Sequence, residues 1–251
     1  HLAGCTMVPV NIGGLKDGVH PRIRNCVVRY GTGNIAEGPA MTREECVQAI
    51  LTGVDTVRDL KAEGYDLIVT GEMGIGNTTA SSACAAVLFA QAPEVVTGRG
   101  AGLSTEGLNK KVRAIERAIE VNHPDKTDAI DVISKVGGLD IAGMVGCYLG
   151  AAYYHLPILI DGFISAISAY LAGMLSKTAK EYMIPTHGSA EPAAKLAMEH
   201  LGMQAPIQAG MHLGEGTGAI MGLSLIDQGL NVYYHVATWD GAHVEAYTHQ
   251  K

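Results

Sequence analysis

The period of the apolar positions changes repeatedly along the chain, and the changes mark out alternating strands and helices. Thr6 to Ile12 is β-rich and stops at Gly13-Gly14, and Cys26 to Tyr30 makes a second candidate strand. From Thr42 the period lengthens. Val47, Ile50, Leu51, Val54, Val57 and Leu60 fall at helical spacing as far as Gly64. Thr42 and Glu45 form a capping box there, in which each side chain satisfies a free backbone N–H of the first turn. Asp66 to Thr70 reads as a short buried strand. It enters the glycine-rich loop 71–77 and then a helix of small residues from Thr78 to about Phe89. A helix from Thr105 to Val121 follows, then shorter helices to about Ala152. Pro157 to Ile160 is a strand, followed by Asp161-Gly162 and a helix to Leu175. Tyr182 to Pro185 is another strand. It leads through a loop at Thr186 to Ser189 into a helix from about Glu191 to Leu201, and a last helix runs from Gly218 to about Gln228.

Strand, polar loop, helix, repeated, predicts an α/β fold: an open, mostly parallel, doubly wound (Rossmann-like) sheet flanked by helices. Ligands of such sheets bind beyond the carboxyl ends of the strands, where each unusual loop of this chain falls. No linker, repeat or low-complexity tract divides residues 1–251, which predicts a single main domain with helices packed beside it. The most apolar region, Leu139 to Leu175, is broken by Asp140, His155, Pro157 and Asp161. Its charge-free pieces, 141–154 and 162–176, are shorter than the ~20 residues a spanning helix needs. They predict buried helices around a buried strand, with no membrane partner.

Composition narrows the class of function. Hydrophobic residues make up 47% of the chain and charged residues 17%, a globular balance. The net charge of −7, with no Lys/Arg cluster larger than a pair, argues against a nucleic-acid partner. Cys5, Cys26, Cys46, Cys84 and Cys147 are odd in number and lack a C-x-x-C spacing, so free buried thiols in a reducing cytosol are expected, and with them a cytoplasmic protein. The ten His are scattered and no clustered metal set occurs, so neither metal nor cofactor is expected.

Three loops carry candidate chemistry. In Gly71-Glu72-Met73-Gly74-Ile75-Gly76-Asn77-Thr78, the glycines let successive N–H groups face one ligand at a helix N-terminus, which suits phosphate. The spacing lacks the third glycine of a dinucleotide fingerprint and the lysine of a P-loop, so a tight βα turn fits the loop as well. Glu72 counts against the simple turn, because a carboxylate beside a phosphate site is costly unless it bonds a hydroxyl or a base. In Gly214-Glu215-Gly216-Thr217-Gly218, flanking glycines leave Glu215 open to a substrate. Leu213 and Ile220 are expected to desolvate it and raise its pKa towards that of a useful general base. A glutamate favoured by a helix dipole is the alternative. In His187-Gly188-Ser189-Ala190-Glu191-Pro192, Ser189 fits either an N-cap or a second phosphate cradle. Lys111, in Asn109-Lys110-Lys111-Val112-Arg113, fits a solvated helix face. Asp161 fits an Asx turn, a sugar contact or a brace for a neighbouring loop.

Taken in order, these residues resemble the nicotinate-nucleotide:dimethylbenzimidazole phosphoribosyltransferase family. The matching segments are GTGNIAEGPAMT (31–42), GEMGIGNTTASSA (71–83), TGRGAGL (97–103), KVRAIERAI (111–119), VGGLDIAGMVGCYLGAA (136–152), PILIDGFISA (157–166), HGSAEP (187–192) and LGEGTGAIMGLSLID (213–227). The resemblance implies transfer of ribose 5-phosphate from nicotinate mononucleotide to an aromatic base, with release of nicotinate and inversion at the anomeric carbon, in cobamide biosynthesis. It implies Glu215 as general base and Glu72 as a second active-site acid. Gly74, Gly76, Asn77, Thr78, Lys111, Asp161, Ser189, Leu213 and Gly218 are implied to surround the substrates. No cofactor is implied. The partners implied are small molecules and a second subunit, as a homodimer or with a paralogue. A small helical subdomain is implied, formed partly by about 228–251.

The resemblance begins inside the family pattern and the chain starts at His1, so an N-terminal portion that helps enclose the acceptor is expected to lie outside this sequence. The acceptor therefore stays open among dimethylbenzimidazole, another benzimidazole, a purine and a phenol. The alternatives are a phenol-using paralogue and a non-catalytic partner subunit. Intact Glu72, Lys111, Ser189 and Glu215 favour catalysis.

Overall fold

The computed structural model describes residues 4–14 and 20–245. In chain order the elements are β1 (Val10–Asn11), β2 (Arg24–Asn25), α1 (Arg43–Ala62), β3 (Ile68–Val69), α2 (Asn77–Leu88), α3 (Pro93–Val96), α4 (Thr105–Asn122), α5 (Ala129–Val136), α6 (Leu139–Tyr153), β4 (Ile158–Ile160), α7 (Phe163–Leu175), β5 (Met183–Pro185), β6 (His187–Ser189), α8 (Pro192–Leu201), β7 (Ile207–Met211) and α9 (Thr217–His235). The strands pair in parallel and helices flank them, as the alternation of patterns predicts.

The ladder is interrupted. β3, β4 and β5 make one three-stranded ladder, β6 and β7 a second, and β1 with β2 a third. Only Thr186 separates β5 from β6, so one extended segment pairs first with β4 and then with β7. The Thr186 hydroxyl marks the change of partner by donating to Ile160 O at 2.6 Å.

Helix α1 begins where the capping box places it. Thr42 Oγ1 accepts from Glu45 N at 3.1 Å, and Glu45 Oε2 accepts from Thr42 N at 2.9 Å. Its buried face (Cys46, Ala49, Ile50, Gly53, Val57, Leu60) lies on α6 at very close range. A Cβ at Gly53 would overlap Gly143 O, and one at Gly146 would overlap Ile50 O. The region read as buried helices around a strand is α6, β4 and α7, all core, and no helix among the described residues is long and apolar enough to cross a membrane. Burial pushes the Cys46 thiol up to about 12, which suits a packing role rather than a reactive one.

Several boundaries differ from the sequence reading. The β-rich run Thr6–Ile12 is laddered only at Val10–Asn11, and the second strand falls at Arg24–Asn25, before the apolar run Cys26–Tyr30. Thr186–Ser189 is not a loop, since residues 187–189 pair with β7, a strand that the sequence reading missed. Gln208, Ala209 and Gly210 give β7 no apolar alternation to be read, and all three are exposed. Helix α9 continues past Gln228 to His235. One internal glycine, Gly229, costs about 1 kcal/mol and does not end a helix of this length.

Candidate active site

Four strand ends bring the singled-out loops together. β3 ends at Val69, and Thr70 leads into the glycine-rich loop. The Thr70 hydroxyl is fixed in the core, 2.8 Å from the Tyr148 phenol and 3.2 Å from the Ser165 hydroxyl. Gly74 and Gly76 take the left-handed backbone that a reversal into α2 requires, with φ of +75° and +83°. No side chain caps the first turn of α2, so the positive end of that helix faces the loop.

Glu72 folds back over this loop. Its Oε2 accepts from Gly74 N and, at 2.8 Å, from Asn77 Nδ2. The same Asn77 amide donates to Asp140 Oδ2 at 2.6 Å, while Asn77 Oδ1 is buried without a partner. Burial pushes the Glu72 carboxyl above the usual carboxylate range. The Asn77 and Gly74 bonds pull it back, and the nearby Asp140 and Asp161 charges add to the rise.

The second loop joins β7 to α9. Glu215 has φ of +57° between Gly214 at +80° and Gly216 at +78°, three left-handed residues in a row. A residue with a Cβ avoids this region at a cost of about 1–2 kcal/mol, so the turn must be held by its surroundings. Glu215 N donates to Glu72 O at 2.9 Å, which ties the two loops backbone to backbone. Thr217 closes the turn, its hydroxyl donating to Gly214 O at 2.7 Å. Buried Asp161, just beyond β4, accepts from Gly216 N at 3.1 Å and from Ala219 N at 3.0 Å. Of the three readings of Asp161, the structure supports the brace: it caps a helix 55 residues further on. The contact between loops also requires Gly71, where a Cβ would stand 2.6 Å from Gly216 N.

The expected desolvation of Glu215 is not found. Leu213 is 73% exposed and Glu215 itself is exposed. Gly218 serves packing: a Cβ there would overlap the imidazole of buried His187. Ser189 lies at the end of β6 and is not the N-cap of α8. That position falls to Glu191, and Ser189 Oγ accepts from Glu191 N at 3.3 Å. Asp161, Gly162, His187, Ser189, Met198 and Met203 are among the residues that line a cavity of about 550 Å³.

Lys111 is not on a solvated face. It is 6% exposed, and its ammonium donates to Thr78 Oγ1 and to Gly98 O, each at 3.0 Å. It therefore stands beside the first turn of α2. Sequence reasoning missed Asp140 and Glu191, whose partners lie 63 and 91 residues away. The one available signal was their place inside the quoted motifs.

The arrangement offers an open carboxylate on a rigid turn, a half-buried carboxyl with a raised pKa, and a helix N-terminus with a buried lysine. These elements can take up a phosphorylated, hydroxylated ligand and remove a proton beside it. Comparison with known proteins agrees. The model of a family described as phosphoribosyltransferase matches residues 1–244. A protein of Acetivibrio thermocellus is 47% identical over 247 residues, covering 98% of this chain and 70% of its own length. One of Clostridium acetobutylicum is 44% identical over 245 residues, with coverage of 98% and 70%. Both are named nicotinate-nucleotide–dimethylbenzimidazole phosphoribosyltransferase. The crystal structure of CobT from Thermus thermophilus is 35% identical with a TM-score of 0.90, covering 98% of this chain and 74% of that one. The chain belongs to the nicotinate-nucleotide–dimethylbenzimidazole phosphoribosyltransferase family.

Proposed function

We propose that this protein transfers ribose 5-phosphate from nicotinate mononucleotide to dimethylbenzimidazole or a related aromatic base, with Glu215 as the general base. The observation that carries this reading is the Glu215 turn, an open carboxylate held left-handed and bonded through its own amide to the loop of Glu72. An acceptor ring nitrogen attacks the anomeric carbon as the bond to the nicotinate nitrogen breaks. The bonding pair neutralises the pyridinium, and the acceptor N–H proton passes to Glu215. The leaving group is already activated by its positive charge, so the protein's task is positioning and the removal of one proton.

The donor phosphate fits the first turn of α2, with Lys111 alongside. Glu72, with its carboxyl pushed up by burial, is suited to a ribose hydroxyl. Ser189, Leu213 and the loop amides line the remainder, and Asp161 and Gly218 act by shaping the Glu215 turn. Two copies pair as a dimer. Support for this comes from α9, which leaves Leu225, Leu230 and Tyr233 exposed. Residues 228–235 complete α9 as part of a small helical subdomain, whose last stretch, 246–251, lies outside the described residues.

The test is incubation of the full chain with nicotinate mononucleotide and a panel of benzimidazoles, purines and phenols. Released nicotinate and an α-riboside 5-phosphate are expected with at least one acceptor. No product with any of them removes the proposal.

A further inference from the structure

We propose that Glu191 is a positioning residue for the phosphate end of this site, holding the Gly98–Gly102 turn and supplying the counter-charge for the buried Lys111 ammonium. The inference rests on the transferase reading and deepens it. Glu191 comes from the N-terminus of α8 and reaches a turn 91 residues earlier, where its Oε1 accepts from Gly100 N at 3.1 Å. Its Oε2 is buried with no hydrogen-bond partner and presses on Gly98 so closely that a Cβ there would overlap it. Gly98 O is in turn an acceptor for Lys111. Glu191, the turn, Lys111 and Thr78 thus form one chain of contacts that ends at the first turn of α2.

An orphaned carboxylate oxygen is costly to bury unless a positive charge offsets it. Lys111 is that charge, although the two groups make no direct ion pair among the described residues. The ammonium spends two of its three protons on Thr78 and Gly98, which leaves the third for a ligand.

Charged groups around Lys111 are few. The turn contributes Arg99, whose guanidinium is bonded to Leu103 O and Thr105 Oγ1. α2 contributes neutral Asn77 and Thr78. On α4, Lys110 and Arg113 point to solvent. Burial pushes the Lys111 ammonium below the usual lysine range, and Glu191 is the one group that pulls it back up. The sign follows. Without this carboxylate, Lys111 gives up its proton at a lower pH, and phosphate binding fails from that pH upward.

Calorimetric titration of the full chain with nicotinate mononucleotide, between about pH 6 and pH 10, tests this for wild type, E191Q, E191D and K111A. Titration of the donor's own phosphate is common to all four and cancels. In E191Q the alkaline loss of binding should begin about one pH unit lower than in wild type, so that binding at an intermediate pH is about tenfold weaker. E191D keeps the charge and should keep the wild-type onset. K111A should bind weakly throughout, with no alkaline onset. If E191Q does not fold, the equal-sized pair E191D and E191N makes the same comparison. An unshifted onset in E191Q, or in E191N against E191D, overturns the role of Glu191, as does a shift in E191D as large as that in E191Q. Absence of donor binding in wild type overturns the transferase reading instead.

Discussion

Glu215 keeps a left-handed backbone because its amide, the following amide and the Thr217 hydroxyl are all bonded, so the turn that carries the exposed carboxylate is fixed. Glu215→Gln preserves this turn and removes the proposed base. Turnover should fall about 10²–10⁴-fold while the donor dissociation constant changes little, which steady-state and binding measurements separate. Near-normal turnover would mean that another group takes the proton. Glu72 makes a prediction about pH. Its carboxyl is raised in the folded state, so ionising it opposes folding, and the penalty appears as pH rises through the folded value. Glu72→Gln can still accept from Gly74 and Asn77. It should melt about 2–4 °C above wild type at neutral pH, with the gap closing in acid, as thermal scans across pH would record. At this scale the sequence was only half legible. Glycines on both sides singled out Glu215, but its solvent exposure depends on which elements pack over the loop, and Leu213 and Ile220 could not report that. The packing of Gly218 against the His187 ring was not legible, because that ring lies far upstream in the chain.

Among the elements, α9 begins without a cap of its own and takes one from Asp161 at the end of β4. Asp161→Ala leaves two buried amides unpaired and should cost about 1–3 kcal/mol, with a further loss of turnover because the Glu215 turn loosens. Gly146→Ala is the contrasting case. Its methyl meets the backbone of Ile50 where α1 lies on α6. A comparable loss of about 1–3 kcal/mol is expected, with turnover per folded molecule unchanged. Chemical denaturation alongside turnover distinguishes the two, and equal turnover losses would refute the assignment of Asp161 as the brace. Helices were well legible here because α1 carries both a capping box and a clean apolar period. The central strands β3, β4 and β5 were legible as short apolar runs. β7 was missed because Gln208 and Gly210 break the alternation and the backbone alone makes the ladder.

For the whole molecule, the parallel strands flanked by helices followed from the order of local patterns, but the interruption of the ladder at Thr186 did not, because it depends on partners that no local pattern names. The exposed apolar residues of α9 belong to this scale too. If two copies pair there, light scattering should give twice the 26.3 kDa of one chain, and Leu225→Glu with Tyr233→Glu should return it to a single mass. An unchanged mass in that double variant would place the contact elsewhere. The bond from Glu215 N to Glu72 O carries a consequence for traffic through the site. It fastens together the loops after β3 and β7, so neither can swing aside like a lid without breaking a backbone contact and disturbing the Asp161 cap behind it. Substrates therefore arrive at a wall that is already built.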